Sequence, residues 1–262
     1  MYSDEHKKYL KQIKKNVFLI RFTQIIIILF LAFLWQFLAD LSLINTFIYS
    51  SPKNVLKTIF SLFNDGSLLH HIFITFHEVI ISFVLGTIIG LFTAILLWKY
   101  NFLAKVLDPY LTVLNSLPKV SLGPIIIIIA GASTKSIVLM ALFISVIITI
   151  MDIYTAFKNT DINKIRLMQS FKATKNQILY KLVLPSNLNS IISVLKVNLS
   201  LTFIGVIMGE FLVSKAGVGY LIMYGSQIFN LNLVITGIVI LAVMASILYY
   251  LILFIEKKLS KR

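Results

Sequence analysis

Apolar runs of roughly 20 residues or more recur along this chain and alternate with shorter polar stretches. About 20 apolar residues is the length of helix that crosses ~30 Å of hydrocarbon. The runs fall at 17–39, 72–98, 103–130, 136–156, 188–213 and 233–255. In that medium each segment must satisfy its own backbone hydrogen bonds, which selects helices. A barrel would show alternating segments of ~10 residues, and the sequence has none. The expected fold is therefore an all-α integral membrane protein of about six transmembrane helices. The polar segment 1–16, with Lys7, Lys8, Lys11, Lys14 and Lys15, precedes the first run. That run exceeds a signal-peptide core and lacks a small-residue cleavage site, so it reads as a retained helix and 17–262 as the membrane domain.

Breaks in the pattern carry the next layer. Ser51 and Pro52 make a helix start, with serine as cap and proline in the first turn. After them Val55, Leu56, Ile59, Phe60 and Phe63 recur at helical spacing, which predicts an amphipathic surface helix over 54–63. Gly86 and Gly90, and again Gly205 and Gly209, sit four apart, the spacing at which small residues let a neighbouring helix approach. Pro118 interrupts the third run within Asn115-Ser116-Leu117-Pro118-Lys119. The interruption is either a break that lines a pathway, with Asn115, Ser116, Pro118 and Ser121 as candidates, or a packing kink or membrane-edge turn. A glycine-rich turn is expected at 215–219, and 220–228 reads as a short re-entrant or surface helix.

Charge gives the chain a direction. Only 13% of the 262 residues are charged, too few to coat a soluble domain, and the net charge is +14. Lys and Arg gather between the apolar runs, as in membrane proteins whose basic loops stay in the cytoplasm, so the basic balance does not point to nucleic acid. One side collects the N-terminal lysines, Arg21, Lys99, Lys105, the segment 157–185 and the basic C-terminus. The other receives Lys53, Lys57, Lys135, Lys215 and Lys119. Both termini and the 157–185 segment are expected in the cytoplasm. That segment has Asp161 as its one acid and an apolar periodicity through Ile165, Met168, Phe171, Ile178, Leu179 and Leu182. Two short amphipathic helices outside the membrane, seeking a partner, are the expected result.

The same segment resembles the coupling loop of binding-protein-dependent ABC transporter permeases. Ser170-Phe171-Lys172-Ala173 stands where that family carries Ser/Thr-Leu-Gly-Ala, and Leu182-Val183-Leu184-Pro185 follows at the family's spacing. Arg166-Leu167-Met168 replaces Glu-Ala-Ala, and Lys172 replaces a glycine that would suit a left-handed turn. Further matches resemble the sulfonate, taurine, nitrate and bicarbonate branch. They are the Ser50-Ser51-Pro52 entry, Leu117-Pro118-Lys119-Val120-Ser121-Leu122-Gly123-Pro124, and Gly209-Glu210-Phe211-Leu212 followed by Ala216-Gly217-Val218-Gly219. Glu78 sits where the branch carries a basic residue. The resemblance implies a permease homodimer in the cytoplasmic membrane, a separate ATPase subunit that holds ATP, and an extracytoplasmic solute-binding protein. It assigns Ser170, Phe171, Lys172, Ala173, Leu182, Leu184 and Pro185 to ATPase coupling. It implies no catalysis and no cofactor on this chain, and a cargo among sulfonates, taurine, nitrate or related solutes. A thiamine-precursor pyrimidine or another vitamin-like solute is the alternative.

Charges within the runs complete the reading. Lys196 and Glu210 lie ~21 Å apart along one helix and cannot pair there. Lys196 is expected at the cytoplasmic edge. Glu210 is open between anchoring the glycine turn, lining the pathway and interfacial exposure, and His77 with Glu78 reads as interfacial packing. Four histidines and no cysteine, without HExxH spacing, exclude a metal site of familiar pattern. An ion-driven secondary transporter would show internal repeats and midplane relay residues. An intramembrane enzyme would show a nucleophile or phosphate-binding motif. Neither set is present in the sequence.

Overall fold

A computed structural model describes residues 4–259 of the chain. Lys261 and Arg262, counted above with the basic C-terminus, lie outside the described residues, as do the first three residues of the 1–16 segment. The described residues form helices joined by short turns, without a strand. Helix α1 runs unbroken over Asp4–Asp40. Ser51 then caps α2 (Pro52–Asn64), its hydroxyl accepting from Asn54 N at 3.2 Å with Pro52 in the first turn. The spans that follow are α3 (Ser67–Lys99), the bent pair α4 (Asn101–Ser116) and α5 (Gly123–Ala130), and α6 (Thr134–Lys158). A short helix α7 (Ile162–Ser170) leads through a helical stretch over 175–186 into α8 (Leu188–Val213). Helix α9 (Val218–Gln227) follows the glycine-rich turn, and α10 (Leu231–Leu259) ends the described chain.

Five of these helices are long and apolar enough to cross a membrane, and a sixth crossing exists if the bent pair counts as one span. The bend between α4 and α5 is 89°. Leu117 is extended there, Pro118 leaves the helical region with ψ of 84°, and a 3-10 turn over Lys119–Leu122 begins the return. Proline forbids the helical bond that would have carried α4 onward.

The core is built around α6. Its residues Ile137, Ala141, Ser145 and Thr149, spaced four apart, form one stripe that receives glycines from both neighbours. A methyl group on Gly209 would lie 2.9 Å from Ile137 Cα, and one on Gly205 would collide with the Ala141 backbone. Farther along the stripe, Gly86 and Gly90 of α3 press on Ser145 and Thr149, with a built Cβ at 3.1 Å and 2.5 Å from their side chains. Helices α8 and α3 thus seat on opposite halves of a single α6 face, backbone close to backbone. Helix α10 closes the cluster with Ile240, Met244, Leu248 and Ile252. By contrast, the membrane-length part of α1 is not buried against anything in the protomer. Its end meets α2, where Gln36 Oε1 accepts from Lys53 N at 3.0 Å.

Candidate functional site

Two ends of the bundle carry chemistry. At one end, α7 and the stretch to α8 form an arm. Asp161 caps α7, Oδ1 accepting from Asn163 N at 2.9 Å. The helix ends in a paired closure: Lys172 N donates to Gln169 O at 2.8 Å and Ala173 N to Met168 O at 3.0 Å. That bond pattern belongs to a C-terminal motif whose left-handed position normally takes glycine. Lys172 occupies it, with φ of +56°. The turn that its lysine put in question is therefore formed, at the cost of a strained backbone. Thr174 and Gln177 then make a reciprocal capping box. A π turn over Leu179–Val183 leads to Pro185, and Asn187 Nδ2 ties the end of the arm to the link between α6 and α7 by donating to Thr160 Oγ1 at 2.7 Å.

The arm's apolar residues divide between two destinations. Ile178, Leu179 and Val183 are buried with Ala94, Ile153, Phe157 and Val194, and Ile165, Met168, Ala173, Leu182 and Leu184 pack against them. The expectation that the arm's whole stripe lacks a partner within the chain is corrected: most of it grips the bundle. What remains outward is a smaller ridge, Leu167 at 57% and Phe171 at 75% exposure, with Ile162 and Tyr180 nearby in sequence and also exposed. Lys164, Arg166, Lys172, Lys175 and Lys181 are exposed around it. Ser170 and Pro185 are exposed as well, with the Ser170 hydroxyl turned onto Leu167 O at 2.7 Å.

At the opposite end, the turn between α8 and α9 closes on Glu210. Glu210 Oε1 accepts from Thr75 Oγ1 at 2.6 Å, and Oε2 accepts from Gly219 N. Thr75 Oγ1 in turn accepts from Val218 N at 2.7 Å, and His71 Nδ1 from Gly217 N at 3.0 Å. Three successive backbone donors are thereby met by side chains of α3 and α8. Gly217 has φ of +115°, and a methyl group there would lie 2.5 Å from the Glu210 carboxyl carbon. Glu78 comes within side-chain hydrogen-bonding reach of Glu210 and of Thr134. Its side chain is 1% exposed, which replaces the interfacial reading. The reason is length: α3 begins at Ser67, so Glu78 lies about three turns inside it and faces α8. His77 remains at the rim, lining a cavity with Glu78.

The bend at Pro118 exposes Asn115, Ser116, Pro118 and Ser121 on the outside of the protomer. Their polar groups are locally bonded. Ser121 Oγ donates to Pro118 O at 2.7 Å, and Lys119 Nζ donates to Asn115 O and Oδ1 at 2.8 and 3.1 Å. Lys196 pairs with Glu256 of α10 at 2.7 Å, a partner sixty residues away that helical spacing could not indicate. Among the described residues, no group of three His, Cys, Asp or Glu side chains could hold a metal ion.

Residues 86–262, well over half of the chain, match the family of binding-protein-dependent transport system inner membrane components. The chain belongs to that family: it is a multi-pass permease subunit of an ABC importer. A Bacillus subtilis (strain 168) permease protein, SsuC, named for aliphatic sulfonate transport, is 25% identical over 228 residues, 87% of this chain and 83% of its own length. The formylaminopyrimidine transport permease protein ThiX of Halalkalibacterium halodurans is 24% identical over 192 residues, covering 73% of this chain and 76% of its own. Among solved structures, an inward-facing conformation of the MetNI methionine ABC transporter contains a chain that superposes with a TM-score of 0.62 at 19% identity, covering 75% of this chain and 95% of that one. That likeness shows a shared fold.

Proposed function

We propose that this chain works as one half of a permease dimer whose arms dock on a separate ATPase subunit, with ATP bound and hydrolysed there. The observation that carries the reading is the exposed Leu167–Phe171 ridge on a basic arm most of whose other apolar residues pack against the bundle. An aromatic side chain three-quarters exposed beside a fixed helix end is the form of an anchor for a partner's groove. The basic end of the bundle, with Lys99, Lys158, Lys164, Arg166, Lys172, Lys175, Lys181, Lys257 and Lys258, faces the cytoplasm by the positive-inside rule, and both termini lie there. The turn end then faces outward and receives the solute-binding protein. Movement of the arms on ATP binding tilts the helices seated on α6 and alternates access.

The cargo is a small polar solute. Relatives named for sulfonates and for a formylaminopyrimidine support both the sulfonate-type reading and a vitamin-precursor reading. The exposed polar bend with Asn115, Ser116, Pro118 and Ser121 faces the second copy and borders the pathway in this reading. Copurification tests it. The His-tagged chain coexpressed with a candidate ABC ATPase subunit should retain that ATPase on an affinity column and show solute-stimulated ATP hydrolysis in vesicles. Solute uptake by the chain alone, driven by a proton gradient, contradicts it.

A further inference from the structure

Two carboxyl groups from different helices meet at the turn end without a cation between them. Glu78 of α3 and Glu210 of α8 are each 1% exposed and lie within side-chain hydrogen-bonding reach of one another. Among the described residues neither takes part in a salt bridge, whereas Lys196 and Glu256 pair elsewhere in the bundle. The titratable groups of the surrounding elements do not supply the missing charge. His71 Nδ1 accepts from Gly217 N at 3.0 Å, so that nitrogen carries no proton, and Tyr220 of α9 stacks on its ring. His77 and Lys215 are exposed and line the neighbouring cavity. Helix α6 contributes the Thr134 hydroxyl, followed by an exposed Lys135.

Like charges this close and out of water do not both persist, because their repulsion is scarcely screened. The hydrogen bonds distinguish the two groups. Glu210 accepts from Thr75 Oγ1 at 2.6 Å with Oε1 and from Gly219 N with Oε2, and the Tyr220 backbone N–H also reaches its carboxyl. Several donors on one carboxyl are the setting of an ionised group. Glu78 Oε2 is buried without a partner, where a negative charge would be poorly solvated. We infer that a single proton resides on Glu78 and bridges it to Glu210, standing in for a cation and fastening α3 to α8. Through Thr134 and Gly219 the same joint holds the start of α6 and the α8–α9 turn. Loss of the proton leaves two adjacent buried charges that drive α3 and α8 apart at this end. Because the folded chain holds a proton that the unfolded chain gives up, stability falls as pH rises. This goes beyond the importer reading and does not rest on it.

Infrared spectroscopy on the full chain in lipid nanodiscs, in ordinary and heavy water, tests the proton directly. The carbonyl band of a neutral carboxylic acid, shifted by deuteration, should be present at neutral pH. It should vanish at alkaline pH together with a fall of a few degrees in Tm. Glu78→Gln should remove the band. Its amide donates to Glu210 in place of the acid, so Tm should be kept at neutral pH and should no longer fall at alkaline pH. Glu78→Lys supplies a fixed cation and should likewise abolish the fall. His77→Gln should leave both band and fall intact. If neither Glu78 variant folds, the unaltered chain decides: an acid band that titrates in step with Tm supports the joint, and one that does not overturns it. Absence of an acid band at neutral pH overturns the inference. So does a band and a fall in Tm unchanged by Glu78→Gln, or a fall abolished by His77→Gln.

Discussion

The two ends of the bundle each place a left-handed residue between helices, and they solve it differently. At the turn between α8 and α9 the residue is Gly217, and at the arm it is Lys172, with φ of +115° and +56°. Gly217 is compelled twice, by its backbone angle and by the Glu210 carboxyl that fills the space a side chain would need. Lys172 is compelled only once, because its side chain points into open space. Positive φ by itself is a modest strain that a lysine bears, whereas positive φ against a packed neighbour excludes everything but glycine. The difference extends to what each end is for. The α8–α9 turn satisfies its donors within the chain, while the arm holds its backbone firmly and leaves Phe171 exposed.

The comparison can be broken most severely at the closed end. Gly217→Ala should cost on the order of 3 kcal/mol, through a disallowed backbone angle and a clash with Glu210. It should be visible as loss of monodisperse protein on size exclusion in detergent. Phe171→Glu should do the opposite: folding and Tm unchanged, but ATPase association weakened by about 2 kcal/mol or more, as for the loss of an interface anchor. A binding titration beside a melting curve separates the two effects.

Smaller perturbations sharpen the contrast. Glu210→Ala strips acceptors from Gly219 N and the Thr75 hydroxyl, and should destabilise by about 1–3 kcal/mol in a thermal-shift assay, with Glu210→Gln milder. Lys196→Ala removes a partly exposed ion pair and should cost at most ~1 kcal/mol, less at high salt. Lys172→Gly is expected to have the opposite sign. Relief of the left-handed strain is partly offset by glycine's freedom in the unfolded chain, so the gain should be below about 1 kcal/mol in the same assay.

Much of this was legible in the residues. Hydrophobic run lengths placed four of the spans, α3, α6, α8 and α10, within about five residues at each end, because a bilayer sets a minimum apolar length, whereas α1 begins well before its apolar run and the third run is bent by 89°. Ser51 and Pro52 marked the start of the surface helix, because capping is local chemistry. Single-helix reasoning failed where two distant segments meet. Glu78 reads as interfacial when its helix is started at Ile72, and only the fold brings it against Glu210, 132 residues on. The Lys196–Glu256 pair is hidden for the same reason. The arm's periodicity was visible, yet periodicity does not say which apolar residues the bundle claims and which stay outward. The fold answers by burying Ile178, Leu179 and Val183 and leaving Phe171. At Pro118 the sequence marked an interruption, but the size of the bend depends on the packing of α5 against α6.

The chain has no cysteine, so a single introduced thiol can be followed without background. Phe171→Cys in sealed membrane vesicles of known orientation, probed with a membrane-impermeant maleimide, tests the arm directly. The thiol should be labelled only from the cytoplasmic face and become protected, and cross-linkable, when the ATPase subunit is added. Labelling from the opposite face, or labelling indifferent to the ATPase, would contradict the account.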